Sequence, residues 1–231
     1  IIINIKCFIC FIINTCFRLF MNNFFISPYM LCIIFAFLIT FLFESIFFKK
    51  EGIESKIIFY FLLTTFVFSI IGGLQFTYFT SNQFGLSSMG GVLGLILSTF
   101  IFTKIYTQHT DIIWNINILS LSLLYGISKL GCFVVGCCHG IKYNGLFAVT
   151  YHNQSYFPIQ LIESIVFITL FIILYIIYKK TNNDIKCLCI YIYLIAKFLL
   201  DYLRYYVDRN IFTTNQIACI IIFILTIIIH K

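Results

Sequence analysis

The sequence predicts an all-α integral membrane protein, a polytopic bundle of about seven transmembrane helices. Three observations carry that expectation. Of the 231 residues, 61% are hydrophobic and 10% are charged, and the mean hydropathy is +1.04. This balance leaves too little polar surface to solubilise a globule and excludes a water-soluble domain. The 29 Phe and 15 Tyr, set among long Ile runs, suit helices surrounded by acyl chain. The apolar stretches, finally, have lengths that fit a bilayer and are separated by short polar turns.

About 20 apolar residues at a rise of about 1.5 Å cross a hydrocarbon core of about 30 Å. Segments of this kind run from Tyr29 to Phe48, Ile57 to Phe79, Met89 to Tyr106, Ile112 to Leu130, Pro158 to Tyr178, Cys187 to Leu203 and Phe212 to His230. Residues Ile1 to Phe20 are also apolar but are interrupted by Lys6, Asn14 and Arg18. They fit an eighth span, an interfacial helix or a signal-like leader. The expected organisation is an N-terminal apolar segment over residues 1–28 and a single transmembrane domain over residues 29–231.

The formal net charge is +7. Its lysines stand singly or in pairs between apolar stretches, a pattern of membrane-orienting flanks, so no nucleic-acid partner is expected. Lys49, Lys50, Lys56, Lys104, Lys179, Lys180, Lys186 and Lys231 share one set of alternate loops, whereas the other set holds Lys142 and Arg209. The positive-inside rule then predicts an N-out to C-in core. On that orientation the unusual residues collect at the outer face, where five helix ends meet.

The densest of these signals is Lys129-Leu130-Gly131-Cys132-Phe133-Val134-Val135-Gly136-Cys137-Cys138-His139-Gly140, a glycine-rich turn interrupting apolar helix. Glycines let the backbone turn sharply or approach a ligand closely. Taken singly, the thiols read as small polarizable packing residues. A disulfide from Cys132 to Cys137 or Cys138 is the alternative outside the cytoplasm. No metal site is expected, because the adjacent Cys137, Cys138 and His139 do not readily converge on one ion and no Cys-x-x-Cys pair is present.

Charged residues within spans are costly and mark function. Lys197, Asp201 and Arg204 stand at i, i+4 and i+7 on one face of the sixth span, and Gln160 and Glu163 share a face of the fifth. As bundle glue, Lys197 would pair with Asp201, or Glu163 with Arg204. As a site, Lys129, Lys197 and Arg204 form a cationic pocket for an anionic lipid head group, held by Asp201 and Glu163. Glu44, towards the cytoplasmic end of its span, reads as a snorkelling residue. His109 and His230 read as ordinary interfacial histidines.

With these residues laid out, the chain resembles the prolipoprotein diacylglyceryl transferase family of bacterial inner-membrane enzymes. Gly90-Gly91-Val92-Leu93-Gly94 is similar to the family's His-Gly-Gly-Leu-x-Gly motif. Lys129-Leu130-Gly131-Cys132-Phe133, followed by Gly136 and Gly140, is similar to the signature that begins Gly-Arg-x-Gly-Asn-Phe, in a cysteine-bearing form. Pro158-Ile159-Gln160-Leu161-Ile162-Glu163 matches Pro-x-Gln-Leu-Tyr-Glu except at Ile162. Lys197-Phe198-Leu199-Leu200-Asp201-Tyr202-Leu203-Arg204 is similar to Arg-Phe-x-x-Glu-Phe-x-Arg, and Asn215-Gln216 to the family's Gly-Gln.

The resemblance implies transfer of diacylglyceryl from phosphatidylglycerol to the lipobox cysteine of a prolipoprotein signal peptide, in the bacterial cytoplasmic (inner) membrane, with the site facing outwards. It implies membrane lipids as partners and no cofactor. The attacking sulfur belongs to the substrate. Lys129 and Arg204 are the expected catalytic cations, and Lys197, Gln160, Glu163, Asp201, Gly90, Gly91, Gly131, Gly136, Gly140 and Cys132 the expected substrate-binding set. Met89 stands where the family has its motif histidine, Lys129 and Lys197 stand for arginines, and Leu74 for the arginine of a Gly-Gly-Arg run. With Met89 lacking an ionisable group, His139 is the expected base and His152 the second choice. Two other readings use the same residues: a non-catalytic or non-canonical anionic-lipid-binding member, and a membrane thiol oxidoreductase working through Cys132, Cys137 and Cys138.

The lysine asymmetry generates a topology prediction. Cysteine-accessibility labelling should place the Lys49 to Lys56 and Lys179 to Lys186 loops inside and the Gly140 to Phe157 loop outside. A cytoplasmic Gly140 to Phe157 loop removes the outward-facing site.

Overall fold

The structure is a computed structural model and describes residues 28–82, 85–151, 153–181, 184–206 and 211–230. The segment Ile1 to Phe20, His152, Arg209 and Lys231 lie outside the described residues. The elements in chain order are α1 (Pro28–Lys50), α2 (Ser55–Ser81), α3 (Ser88–Ile105), α4 (Thr110–Val135), β1 (Val149–Tyr151), β2 (Gln154–Tyr156), α5 (Ile159–Thr181), α6 (Lys186–Asp201) and α7 (Thr214–His230). The polytopic helical bundle is thus observed. Helices α1 to α5 are long and apolar enough to cross a membrane. Helices α6 and α7, with 16 and 17 residues, reach only about 24 to 26 Å.

Two boundaries differ from the expectation. Helix α4 runs to Val135, not Leu130, so Gly131 and Cys132 lie within the helix. Gly131 is tolerated because α1 packs against it: a Cβ there would lie 2.7 Å from Cys32 Cβ. The helix stops at Gly136, whose φ of +74° lets its N–H close on the Cys132 and Phe133 carbonyls. Helix α6 ends at Asp201, and Arg204 leaves it for a main-chain bridge with Gly140.

The connection between α4 and α5 adds an antiparallel hairpin, with Val149 opposite Tyr156 and Tyr151 opposite Gln154. A second layer of main-chain bonds encloses residues 139–143. Gly140 N–H donates to the Phe157 carbonyl at 3.0 Å, Ile141 N–H to Leu203 at 3.0 Å and Tyr205 N–H to His139 at 3.2 Å. The loop is therefore tied on one side to the start of α5 and on the other to the segment after α6.

Small residues set the closest helix pair. A Cβ on Gly90 or Gly94 of α3 would strike the α2 main chain at Gly72 and Phe68, and Ser69 Oγ donates to the Gly91 carbonyl at 3.0 Å. Gly90 and Gly91, expected to bind substrate, stand at this close helix contact. Elsewhere aromatic rings fill the core, as where Phe43 of α1 meets Phe171 of α5 edge-on at 5.0 Å and Phe61 of α2 meets Phe102 of α3 at 5.1 Å. At the end of the bundle remote from the hairpin, Asn115 of α4 accepts from the Ile185 and Lys186 N–H groups through Oδ1, satisfying donors at the start of α6.

Glu44 does not snorkel. Only 1% of it is exposed, and its Oε1 accepts from Ser120 Oγ and from Asn117 Nδ2 on α4. Asn117 Oδ1 in turn accepts from Thr99 on α3 at 3.1 Å. A carboxyl group thus links three helices, because a polar side chain in hydrocarbon is stabilised only by internal partners. Glu44→Gln keeps an acceptor for Ser120 and should melt near the unmodified protein in detergent. Glu44→Leu leaves Ser120 the Asn117 carbonyl at 2.9 Å but takes the carboxylate acceptor from the buried Asn117 amide, a loss of about 1 to 3 kcal/mol, and should melt several degrees lower. Equal melting of the two variants would refute the linking role.

Candidate active site

The end of the bundle that carries the hairpin brings three helices together through one carboxylate. Glu163, fully buried on α5, is 2.8 Å from Lys129 Nζ of α4 through Oε2 and 2.6 Å from Lys197 Nζ of α6 through Oε1. Tyr125, one turn before Lys129 on α4, completes the cluster. Its hydroxyl donates to Glu163 Oε1 at 2.9 Å and accepts from Lys197 at 2.6 Å, and its ring centroid lies 5.0 Å from Lys129 Nζ. The expected Lys197–Asp201 glue is replaced by this arrangement: Glu163 captures Lys197 across the bundle, and Asp201 turns to other partners.

Asp201 is held by the start of α7. It accepts from Thr213 Oγ1, from Tyr206 OH at 2.8 Å and from Asn215 Nδ2 at 3.3 Å. Gln216 of the expected Gly-Gln counterpart has a structural duty. Its Oε1 accepts from Thr213 N–H at 3.0 Å while its own N–H donates to Thr213 Oγ1 at 3.1 Å, a capping box spelled Thr-x-x-Gln in the sequence. Of the three site cations, Arg204 is the least closely paired among the described residues, its guanidinium reaching Asp201 at only 3.9 Å.

The remaining expected residues divide. Gln160, buried on α5, donates to the Cys137 carbonyl at 2.7 Å, and its Oε1 has no partner among the described residues. Gly140 has no room for a side chain, since a Cβ would lie 2.9 Å from the Leu203 carbonyl oxygen. His139 lies in a group of tyrosines: its ring stacks on Tyr156 at 3.9 Å and lies 5.6 Å from Tyr205, with Nδ1 buried and unpartnered among the described residues. The residues missed were Tyr125 and Thr213. The i, i+4 spacing from Tyr125 to Lys129 and the capping-box pattern were the signals available.

An apolar cavity adjoins the cluster, walled by Met89, Val92, Leu121, Phe167, Tyr193 and Cys219, with Tyr125 and Lys197 at its border. Met89, in the place of the family's histidine, faces this cavity. Cys132, Cys137 and Cys138 are free thiols whose sulfur atoms all lie within 4.8 Å of one another. Beyond the helix, hydrogen bonds from the other two thiols hold Cys138 below its ordinary pKa, and the charges of Arg204 and Lys129 act in the same direction.

Buried cations, an apolar cavity and a lipid-facing bundle are here joined at the positions of four sequence motifs. The model of the family described as prolipoprotein diacylglyceryl transferase matches residues 15–230. The chain belongs to that family. It is similar to the phosphatidylglycerol–prolipoprotein diacylglyceryl transferase of Campylobacter hominis, 29% identical over 123 residues, which are 52% of this chain and 44% of the relative. To the protein of the same name from Clostridioides difficile it is 30% identical over 122 residues, 52% of this chain and 49% of the relative. The matches therefore span about half the length of these curated relatives. As a prolipoprotein diacylglyceryl transferase family member, the chain keeps the family's carboxylate at Glu163 while setting lysines around it.

Removing the carboxylate should be worse than removing a lysine. Lys197→Met leaves the Lys129–Glu163 pair and should stay folded, whereas Glu163→Leu strands two buried cations at a cost of roughly 3 to 5 kcal/mol. Thermal unfolding in detergent reads the difference, and a Glu163→Leu protein as stable as Lys197→Met contradicts the central role of Glu163.

Proposed function

We propose that this chain transfers diacylglyceryl from phosphatidylglycerol to the thiol of a prolipoprotein lipobox cysteine, releasing glycerol phosphate at the outer face of a bacterial cytoplasmic membrane. The observation that carries this reading is the charge of the buried cluster. Among the described residues, Lys129, Lys197 and Arg204 face Glu163 and Asp201, so three cations against two carboxylates leave a formal +1. A buried excess charge is unfavourable until an anion meets it. The phosphodiester of phosphatidylglycerol carries the matching single negative charge, and its acyl chains suit the adjoining apolar cavity.

Within the cluster the roles separate. Glu163 engages both lysines, so they position the site and tune its field. Arg204, only loosely held by Asp201, is the cation available to a phosphate, and a guanidinium matches two phosphate oxygens at once. Its charge stabilises the negative charge that grows on the phosphate oxygen as the glyceryl carbon–oxygen bond breaks. The inventory of site cations is thus one phosphate ligand and two lysines held in reserve by a carboxylate. A lipid-binding member without turnover is favoured only by Met89, and the assay below separates it.

The test is diacylglyceryl transfer from phosphatidylglycerol to a lipobox peptide by purified protein in lipid nanodiscs. Loss of a charge-assisted phosphate contact costs about 1.5 to 3 kcal/mol, so Arg204→Ala should lose about 10- to 100-fold in rate, with Arg204→Lys intermediate. Phosphatidylglycerol binding by the unmodified protein without any transfer would leave the lipid-binding reading in its place.

A further inference from the structure

The transfer proposed above requires that the incoming thiol lose its proton. Met89 has no ionisable group, and the His139 ring is packed among tyrosines. We propose that Cys132, Cys137 and Cys138 hold one thiophilic divalent cation of the Zn²⁺ class, and that its open fourth position takes the substrate thiol. The role of the ion in transfer rests on the transferase reading; the metal site itself does not.

Geometry is the first support. Zinc–thiolate bonds of about 2.3 Å in a tetrahedron set the sulfurs about 3.8 Å apart, and here all three lie within 4.8 Å of one another. Small side-chain rotations close that gap. The adjacent cysteines reach Cys132 for a specific reason. Gly136 and Cys138 both have positive φ, +74° and +58°, so the chain reverses twice within three residues and brings neighbouring cysteines to the helix-borne Cys132. Gln160 fixes the turn by its 2.7 Å bond to the Cys137 carbonyl.

Charge is the second support. Three thiolates around a divalent ion carry a net −1. Lys129 stands one turn before Cys132 on α4 and Arg204 is bridged to Gly140, two residues after Cys138, so positive charge stands beside the cysteines and favours the thiolate form that binds the ion. The third is access. Cys132 is buried, Cys137 is half-buried and Cys138 is exposed, so the cluster is closed on its helix side and open beyond it. Three protein ligands with an open position are the pattern of catalytic zinc, and a thiol coordinated by zinc is deprotonated outright.

The step balances without redox change. The substrate S–H bond breaks as sulfur binds the ion, and the proton leaves to water. A lone pair of the bound thiolate then forms the sulfur–carbon bond to the glyceryl carbon. The carbon–oxygen bond to phosphate breaks, its electron pair stays on the phosphate oxygen beside Arg204, and glycerol phosphate departs. The ion remains divalent.

The experiment uses the full chain in detergent, loaded with Zn²⁺ or with Co²⁺ as a coloured probe, and then assayed for transfer in nanodiscs. We expect one ion per chain by elemental analysis and thiolate-to-cobalt charge-transfer absorption. Both should be lost in Cys138→Ser and in Cys132→Ser and kept in Cys187→Ser, which lies at the far end of α6. Transfer should fall at least 100-fold after chelation and return with Zn²⁺. Absence of stoichiometric binding, or a Cys132–Cys138 disulfide in the reduced preparation's mass spectrum, overturns the metal site. Undiminished transfer after chelation, or its collapse in His139→Gln with the ion still bound, overturns the catalytic role of the ion while the transferase reading stands. One bound ion with no transfer under any condition overturns the transferase reading and leaves the metal site.

Discussion

Glu163 is the residue on which the site end of the bundle depends. A carboxylate sealed between α4, α5 and α6 is tolerable only because Lys129 and Lys197 neutralise it from opposite sides and Tyr125 completes its hydrogen bonding. The dependence is mutual. Without Glu163 the two lysines would repel each other in a low-dielectric interior, where such repulsion is strong. The three helices are thus held in register by charge at this end and by apolar and aromatic packing elsewhere.

The placement of Asp201 follows from that arrangement. With Lys197 drawn to Glu163, the Asp201 carboxylate is left to the start of α7, where Thr213, Asn215 and Tyr206 converge on it. Among the described residues, Arg204 then remains with a single long ion pair. The cluster is a sorted set, with two cations consumed by structure and one left for a ligand.

Much of this was legible in the sequence. Apolar stretches of bilayer length gave the helices, since nothing but a helix or a barrel satisfies backbone groups in lipid. The charged positions named from spacing do come together at one end. The partners were less legible, because Lys197 has Asp201 at i+4 on its own helix while its close contact forms across the bundle with Glu163. Glu44 was misread for the same reason: its position near a helix end suggested a route to water, and Ser120 and Asn117 lie 76 and 73 residues away in the chain. The convergence of three thiols depends on positive φ at Gly136 and Cys138; the glycine signals the first, and nothing in the pattern signals the second.

The main-chain clamp around residues 139–143 has a consequence for how such a chain tolerates insertions and deletions. Arg204 is not carried on α6 but bridged to Gly140, which is itself bonded to Phe157. Residues added at the hairpin tip, between Tyr151 and Gln154, lengthen a surface turn and leave the clamp intact. One residue added between Val135 and Gly140 shifts Gly140 out of its bridge and takes the guanidinium with it. Length variation is thus free at the tip and forbidden at the base, a few residues away along the same loop.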